Sequence, residues 1–221
     1  MKSEDRHLLR EGAHGFGVRL SEKQLDLFAL FLERLWSWNR RMNLTGISEE
    51  RQMIIKLLLD PLVALPYLPS SGAVLDIGSG AGIPGLPLKI ARPEFEVHLL
   101  ESKAKKVSFL KDMIRKLDLK GIEAYRGRAE NRADLPTLFH CYDIVTARAL
   151  APLGETINLC SPYLGPGSIL VTFKGSRVDL EIEDSERLME EQNFMISKKV
   201  SYCLPEIEGK RYLLILKKGI T

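Results

Sequence analysis

The chain has 221 residues, 45% hydrophobic and 28% charged, with a formal net charge of +3. This composition fits one ordinary domain with a modest extension, and it excludes a disordered chain, a collagen and a disulfide mini-protein. No apolar run reaches the ~18 residues that a membrane-spanning helix needs, and the charged opening MKSEDRHLLREG lacks the apolar core of a signal peptide.

Before residue 70 the pattern is helical. Ser21 and Gln24 have the spacing of a capping box. Leu25, Phe28, Phe31, Leu32, Leu35 and Trp36 then recur every three or four residues, one face of an amphipathic helix. A loop from Asn39 to Ile47 carries Arg40, Arg41, Asn43 and Thr45. Ser48 is placed to cap a second helix through Leu59, and Asp60-Pro61 to cap and start a further short turn. Pro66, Pro69, Ser70, Ser71 and Gly72 mark a boundary between a helical N-terminal extension, residues 1–70, and a second region, residues 71–221.

Strands and helices alternate beyond that boundary. Strands are predicted at Ala73–Gly78, Glu96–Glu101, Ile122–Gly127, Tyr142–Ala149 and Ser168–Lys174. Helices are predicted at Leu86–Ala91, Lys103–Leu117, Asn131–Phe139, Pro152–Leu164 and Leu180–Gln192. The alternation implies an α/β fold, a Rossmann-like parallel sheet with helices on both faces. Lys198–Leu204 and Arg211–Lys218 read as a closing antiparallel hairpin. Cys141, Cys160 and Cys203 lie far apart with no CxxC, and the four histidines lack metal-ligand spacing. Reduced core cysteines, no metal and a cytoplasmic protein are expected.

The sharpest local signal is Val74-Leu75-Asp76-Ile77-Gly78-Ser79-Gly80-Ala81-Gly82. A buried strand runs into alternating glycines, which let the backbone turn tightly and approach a ligand. Gly80 to Gly85 also fits the dinucleotide pattern GxGxxG, but it starts two residues after the strand ends at Gly78. Pro84 and Pro87 moreover remove N–H groups that a pyrophosphate would need. The form D-x-G-x-G-x-G resembles motif I of class I methyltransferases, which bind S-adenosylmethionine. Glu101 ends the next strand about twenty residues on, where a carboxylate can accept both ribose hydroxyls.

The fourth strand ends Thr146-Ala147-Arg148-Ala149, with neither the (D/N)-P-P-(Y/F) grip on an exocyclic amine nor a Pro-Cys nucleophile. No His or Lys base is evident. That leaves acceptors with their own free lone pair, such as N7 of guanine. An arginine inside an apolar strand end needs a partner, so Arg148 is either one half of a structural ion pair or a cation facing ligand. Asp76, Glu101, Arg128, Arg148 and Lys174 all stand at the carboxyl ends of predicted strands, where such sheets bind ligands. The lysines and arginines of 103–116 read as a solvated face, and Trp36 and Trp38 as core.

Asn43-Leu44-Thr45, VLDIGSGAGIPGLPL, LLESKAKKVSFL, GRAE, TARAL and FKG occur in one order between about Phe31 and Lys217. Together they resemble the bacterial small-subunit rRNA guanine-N7 methyltransferases, also called glucose-inhibited division protein B. The resemblance implies a class I S-adenosylmethionine-dependent methyltransferase domain over 71–221. It also implies methylation of one guanine in 16S rRNA, with the small ribosomal subunit or its assembly particle as partner, and a monomer. Its cofactor positions map onto Gly78, Gly80, Ile83, Glu101, Ala129, Glu130 and Arg148, beside Asp76; its polar acceptor positions map onto Asn43, Arg128, Arg148 and Lys174. This chain has Lys56-Leu57 and Asp60-Pro61 where the family commonly has a basic residue and His shortly before Asp-Ser. A small-molecule methyltransferase and a non-catalytic RNA-binding assembly factor are the competing readings. A dinucleotide dehydrogenase is a distant one.

Overall fold

Ser21 opens the longest helix as its spacing predicts. Its hydroxyl accepts from the Gln24 N–H, and the Gln24 side-chain oxygen accepts from the Ser21 N–H at 2.8 Å. The computed structural model describes residues 1–131 and 142–220. Helix α1 (Ser3–Gly15) precedes this cap and escapes sequence reading, because only Asp5, Leu9 and Ala13 of it are buried. Helix α2 (Glu22–Met42) turns Leu25, Phe28, Phe31, Leu32 and Leu35 inward, the predicted face. Trp36 and Trp38 are partly buried against the same core.

The predicted helix from Ser48 to Leu59 is corrected. Glu49, with no side-chain bond, stands at the N-cap, and α3 covers only Glu50–Met53. The chain then widens into a π-helix, Ile54–Leu59, and tightens into a 3-10 helix, Asp60–Tyr67. Pro61 has no N–H with which to continue an α-helical ladder, and the Asp60 N–H reaches back five residues to the Ile55 carbonyl. Five of the six π residues are buried, so packing sustains the wide turn. Asp60 is no cap. It is fully buried.

Strands β1 (Gly72–Ile77), β2 (Phe95–Glu101), β3 (Ile122–Arg126), β4 (Tyr142–Arg148) and β5 (Leu164–Lys174) run parallel. Strands β6 (Phe194–Tyr202) and β7 (Arg211–Lys218) form the expected antiparallel hairpin. The sheet order is β3-β2-β1-β4-β5-β7-β6, so the last strand inserts between β5 and β6. β5 begins earlier than predicted because Gly165, Pro166 and Gly167 hide its start. β6 also begins earlier, and most of its residues stay exposed or half-exposed at the sheet edge, which removes the apolar alternation that sequence reading relies on.

Helices α4 (Gly85–Ala91), α5 (Ala104–Lys116), α6 (Leu153–Cys160), α7 (Val178–Glu183) and α8 (Glu186–Glu191) cover the sheet. The predicted helix Pro152–Leu164 stops at Cys160, and Pro162 sits in a 3-10 turn, Ser161–Tyr163. The predicted helix Leu180–Gln192 is two helices, broken at Asp184-Ser185. The predicted helix Asn131–Phe139, apart from Asn131, and Cys141 lie outside the described residues. Cys160 is buried as expected, whereas Cys203 is exposed just beyond β6, which corrects its reading as core. One apolar cluster joins α1, α2, the π-helix, α4 and α5 to one face of the sheet. A second packs α6 and α8 on the other face.

Candidate active site

At the carboxyl end of β1 the chain turns through Gly78, Gly80 and Gly82, with φ of 72°, 58° and 83°. These angles suit glycine, but the three positions differ in their surroundings. A Cβ on Gly82 would stand 2.3 Å from the Leu86 side chain, so this glycine packs the turn onto α4. A Cβ on Gly80 would meet nothing nearer than Lys106 Nζ at 3.7 Å, so this glycine leaves open room. The room belongs to a cleft of about 590 Å³. Its walls come from the glycine turn with Ile83, from Thr45 to Ile47, from Leu57, and from the ends of β4 and β5.

Two buried carboxylates brace the turn. Asp76 is fully buried on β1, where Oδ1 accepts from the Thr146 hydroxyl at 2.9 Å and Oδ2 from the Gly85 N–H at 3.2 Å. Burial pushes its carboxyl up to about 7, against the lowering effect of those bonds. Glu101, at the end of β2, accepts from the Gly80 N–H at 2.9 Å and from the Lys103 N–H at 2.8 Å. Oε1 also accepts from the Ser102 hydroxyl at 3.4 Å, so it is Oε2 that keeps a lone pair for a further donor. A glycine turn open at Gly80 with a carboxylate behind it therefore fits a ribose-bearing cofactor.

The cations across the cleft are held in place. Arg148 pairs with Asp60 at 3.0 Å and donates to the Lys56 carbonyl at 2.7 Å. That carbonyl is available because the residue five positions on, the donor a π turn would use, is Pro61. Burial lowers the Arg148 pKa, and the Asp60 carboxylate works against the shift. Lys174 pairs with Glu181 at 2.7 Å and donates to the Ala151 carbonyl at 3.1 Å. Ala149, also in the cleft wall, has φ of 51°, a strained angle for a residue with a Cβ.

Of the residues predicted from sequence, Gly78, Gly80, Ile83, Arg148 and Lys174 line this one cleft. Asp76 and Glu101 bond to its turn instead. Asn43 lines an adjoining cavity of about 340 Å³ with Trp36, Asn39 and Arg40, which shares Thr45, Gly46 and Ile47 with the cleft. Its backbone, at φ 47°, forms the left-handed end of α2. Arg128 and Glu130 are exposed past the end of β3, while Ala129 is buried and its carbonyl accepts from the Tyr163 hydroxyl at 2.9 Å. None of these three is in the cleft lining.

Sequence reading missed Lys106, Arg211 and Asp60. Lys106 sits on the basic helix read as solvated, yet it lines the cleft. Arg211 opens β7 and reaches Asp60 at 3.1 Å across 151 positions of sequence, a pairing no local pattern signals. Among the described residues no group of three His, Cys, Asp or Glu is placed to hold a metal ion. No helix among them is long and apolar enough to cross a membrane.

Comparison with known proteins agrees with this geometry. The family model described as rRNA small subunit methyltransferase G matches residues 24–211. A ribosomal RNA small subunit methyltransferase G from Acetivibrio thermocellus is 37% identical over 96% of this chain and 88% of its own length. Among solved structures, a precorrin-6y methyltransferase from Geobacter metallireducens superposes with TM-score 0.55 at 17% identity, over 72% of this chain and 87% of its own. The M. jannaschii TYW2 in complex with AdoMet gives TM-score 0.51 at 14% identity, over 67% of this chain and 68% of its own. These likenesses are to the class I methyltransferase fold.

Proposed function

The chain belongs to the rRNA small subunit methyltransferase G family, and from that membership we propose that it methylates N7 of a guanine in 16S rRNA, with S-adenosylmethionine as donor. The observation that carries the reading is the single cleft with two unlike sides. The glycine turn, backed by Glu101, stands on the β1–β2 side, and Arg148 and Lys174 on the β4–β5 side. The bound cofactor supplies a methyl group already activated on a sulfonium.

The protein's part is alignment. Glu101 Oε2 would accept from a ribose hydroxyl, and Gly80 would let the backbone come close. Guanine N7 attacks with its own lone pair and loses no proton, so no general base is required. The cleft suits that chemistry: among the described residues its lining holds no histidine or cysteine, and the one carboxylate among them, Glu181, is committed to Lys174. O6 and N7 of guanine are both acceptors. A donor from Arg148 or Lys174 to O6 would turn N7 toward the methyl. Transfer from a sulfonium to a purine would create no net charge, so the cleft's contribution would be geometry more than charge neutralisation.

The test incubates the protein with methyl-labelled S-adenosylmethionine and either unmodified small subunits or protein-free rRNA. Label that yields borohydride–aniline cleavage at one guanine is the expected result. Label at another atom would overturn the N7 assignment. No label on either RNA, with cofactor binding intact, would overturn the reaction.

A further inference from the structure

We propose that Arg211, supported by Arg148, forms a phosphate-binding subsite for the acceptor RNA at the β7 side of the cleft. The inference rests on the RNA methylation proposed above and deepens it.

Asp60 is fully buried, and its Oδ2 faces two guanidinium groups, Arg148 at 3.0 Å and Arg211 at 3.1 Å. Its Oδ1 accepts from the Tyr202 hydroxyl at 2.6 Å. Burial and the neighbouring carboxylate both raise the Tyr202 pKa, so that hydroxyl stays neutral. One carboxylate therefore answers two cations. Among the described residues, the acids at the cleft and its glycine turn are engaged elsewhere: Asp76 with Thr146 and Gly85, Glu181 with Lys174, Glu101 with the glycine turn. A low-dielectric wall with a surplus cation attracts an anion.

The two guanidinium groups differ in the capacity they have left. Arg148 is committed to Asp60 and the Lys56 carbonyl, and its side chain is only 14% exposed. Arg211 is 29% exposed, lines the cleft and gives one Nη to Asp60. Its Nε has no acceptor among the described residues but is buried, so a ligand in the cleft would meet the exposed part of the guanidinium. A planar guanidinium with spare donors matches the oxygens of a phosphate.

β7 lies two strands beyond β4 in the sheet order, about 10 Å away at the usual strand spacing. It is remote from the glycine turn of β1 and from Glu101 on β2. The cofactor side of the cleft and the Arg211 side are therefore different sides. An RNA that extrudes a guanine into a pocket brings the flanking phosphates to its rim.

The experiment measures binding of an unmodified rRNA fragment across a salt series, with S-adenosylhomocysteine present, for the full-length wild type, Arg211→Met, Arg211→Gln and Arg211→Lys. Loss of one phosphate contact lowers the slope of log affinity against log salt by about 0.7 to 0.9. Arg211→Met and Arg211→Gln are expected to show that loss and a roughly tenfold weaker RNA affinity, the size of one such contact. Arg211→Lys keeps the charge and the slope, and cofactor affinity is unchanged in all three. An unchanged slope in a folded Met or Gln variant overturns the inference. So does a loss confined to cofactor affinity, which would assign the anion to the methionine carboxylate. A changed slope alongside wild-type protein that binds RNA but methylates nothing would leave the subsite standing and overturn the reaction.

Discussion

Asp76 illustrates a residue whose sequence position was legible and whose work was not. A carboxylate two places before the first glycine invites a reading as a cofactor contact. In the fold it lies wholly inside the protein, tied to Thr146 and Gly85. Its carboxyl is raised to about 7 because burial outweighs both bonds. An unfolded Asp titrates near 3.9. Between those values the native state binds the extra proton, so this contribution to stability is full at low pH and is lost as pH rises through about 7. Asp76→Asn imitates the protonated form, since Thr146 accepts as well as donates. Melting temperatures from pH 4 to 8 should therefore fall more steeply for the wild type than for Asp76→Asn, over a range worth a few kcal/mol. Parallel curves would place the raised carboxyl in error. Arg148 fared otherwise. Its need for a partner was readable from an apolar strand end, but Asp60, at 88 positions' distance in sequence, could be found only in the fold.

At the scale of elements, the alternating strands and helices were legible because each carries its own period or a flanking turn. The segment from Ile54 to Tyr67 was not. It is apolar nearly throughout, and a run without periodicity cannot distinguish an α-helix from a π-helix joined to a 3-10 helix. The glycine turn was the most legible element, yet its glycines divide the labour. Gly82→Ala forces a Cβ onto buried Leu86 at a left-handed φ, and a stability loss of about 2 kcal/mol is expected from strain and overpacking together. Gly80→Ala meets no such wall and should cost only about 1 kcal/mol from its φ. Its methyl instead enters the cleft beside Lys106, so cofactor affinity should fall more in Gly80→Ala than in Gly82→Ala. Denaturant titration and cofactor binding on the two variants separate these effects, and equal stability losses would contradict the packing argument.

The whole molecule is knit more tightly than a boundary near residue 70 suggests. Sequence reading separates a helical extension from a methyltransferase domain on the change of texture alone. In the fold, Leu25, Phe28, Phe31 and Leu58 share one apolar cluster with Leu86, Val97, Phe109 and Ile215, residues of the second region. Gln24 donates to the carbonyls of Ile90 and Ala91, capping α4 from outside it. Asp60 ties the same N-terminal segment to the end of β4 and to both hairpin strands, through Arg148, Arg211 and Tyr202. Removing residues 1–70 would expose the apolar faces of α4 and α5 and leave Arg148 without its carboxylate. Such burial outweighs most other terms in folding. Urea unfolding of the full chain, followed by tryptophan fluorescence from α2 and by far-ultraviolet circular dichroism, should therefore give coincident single transitions. A chain of residues 71–221 should lack a cooperative transition. Two separated transitions, or a cooperative 71–221 fragment, would make the extension an independent unit, and the cleft wall formed by Thr45 to Ile47 and Leu57 would then be carried by a part that can move on its own.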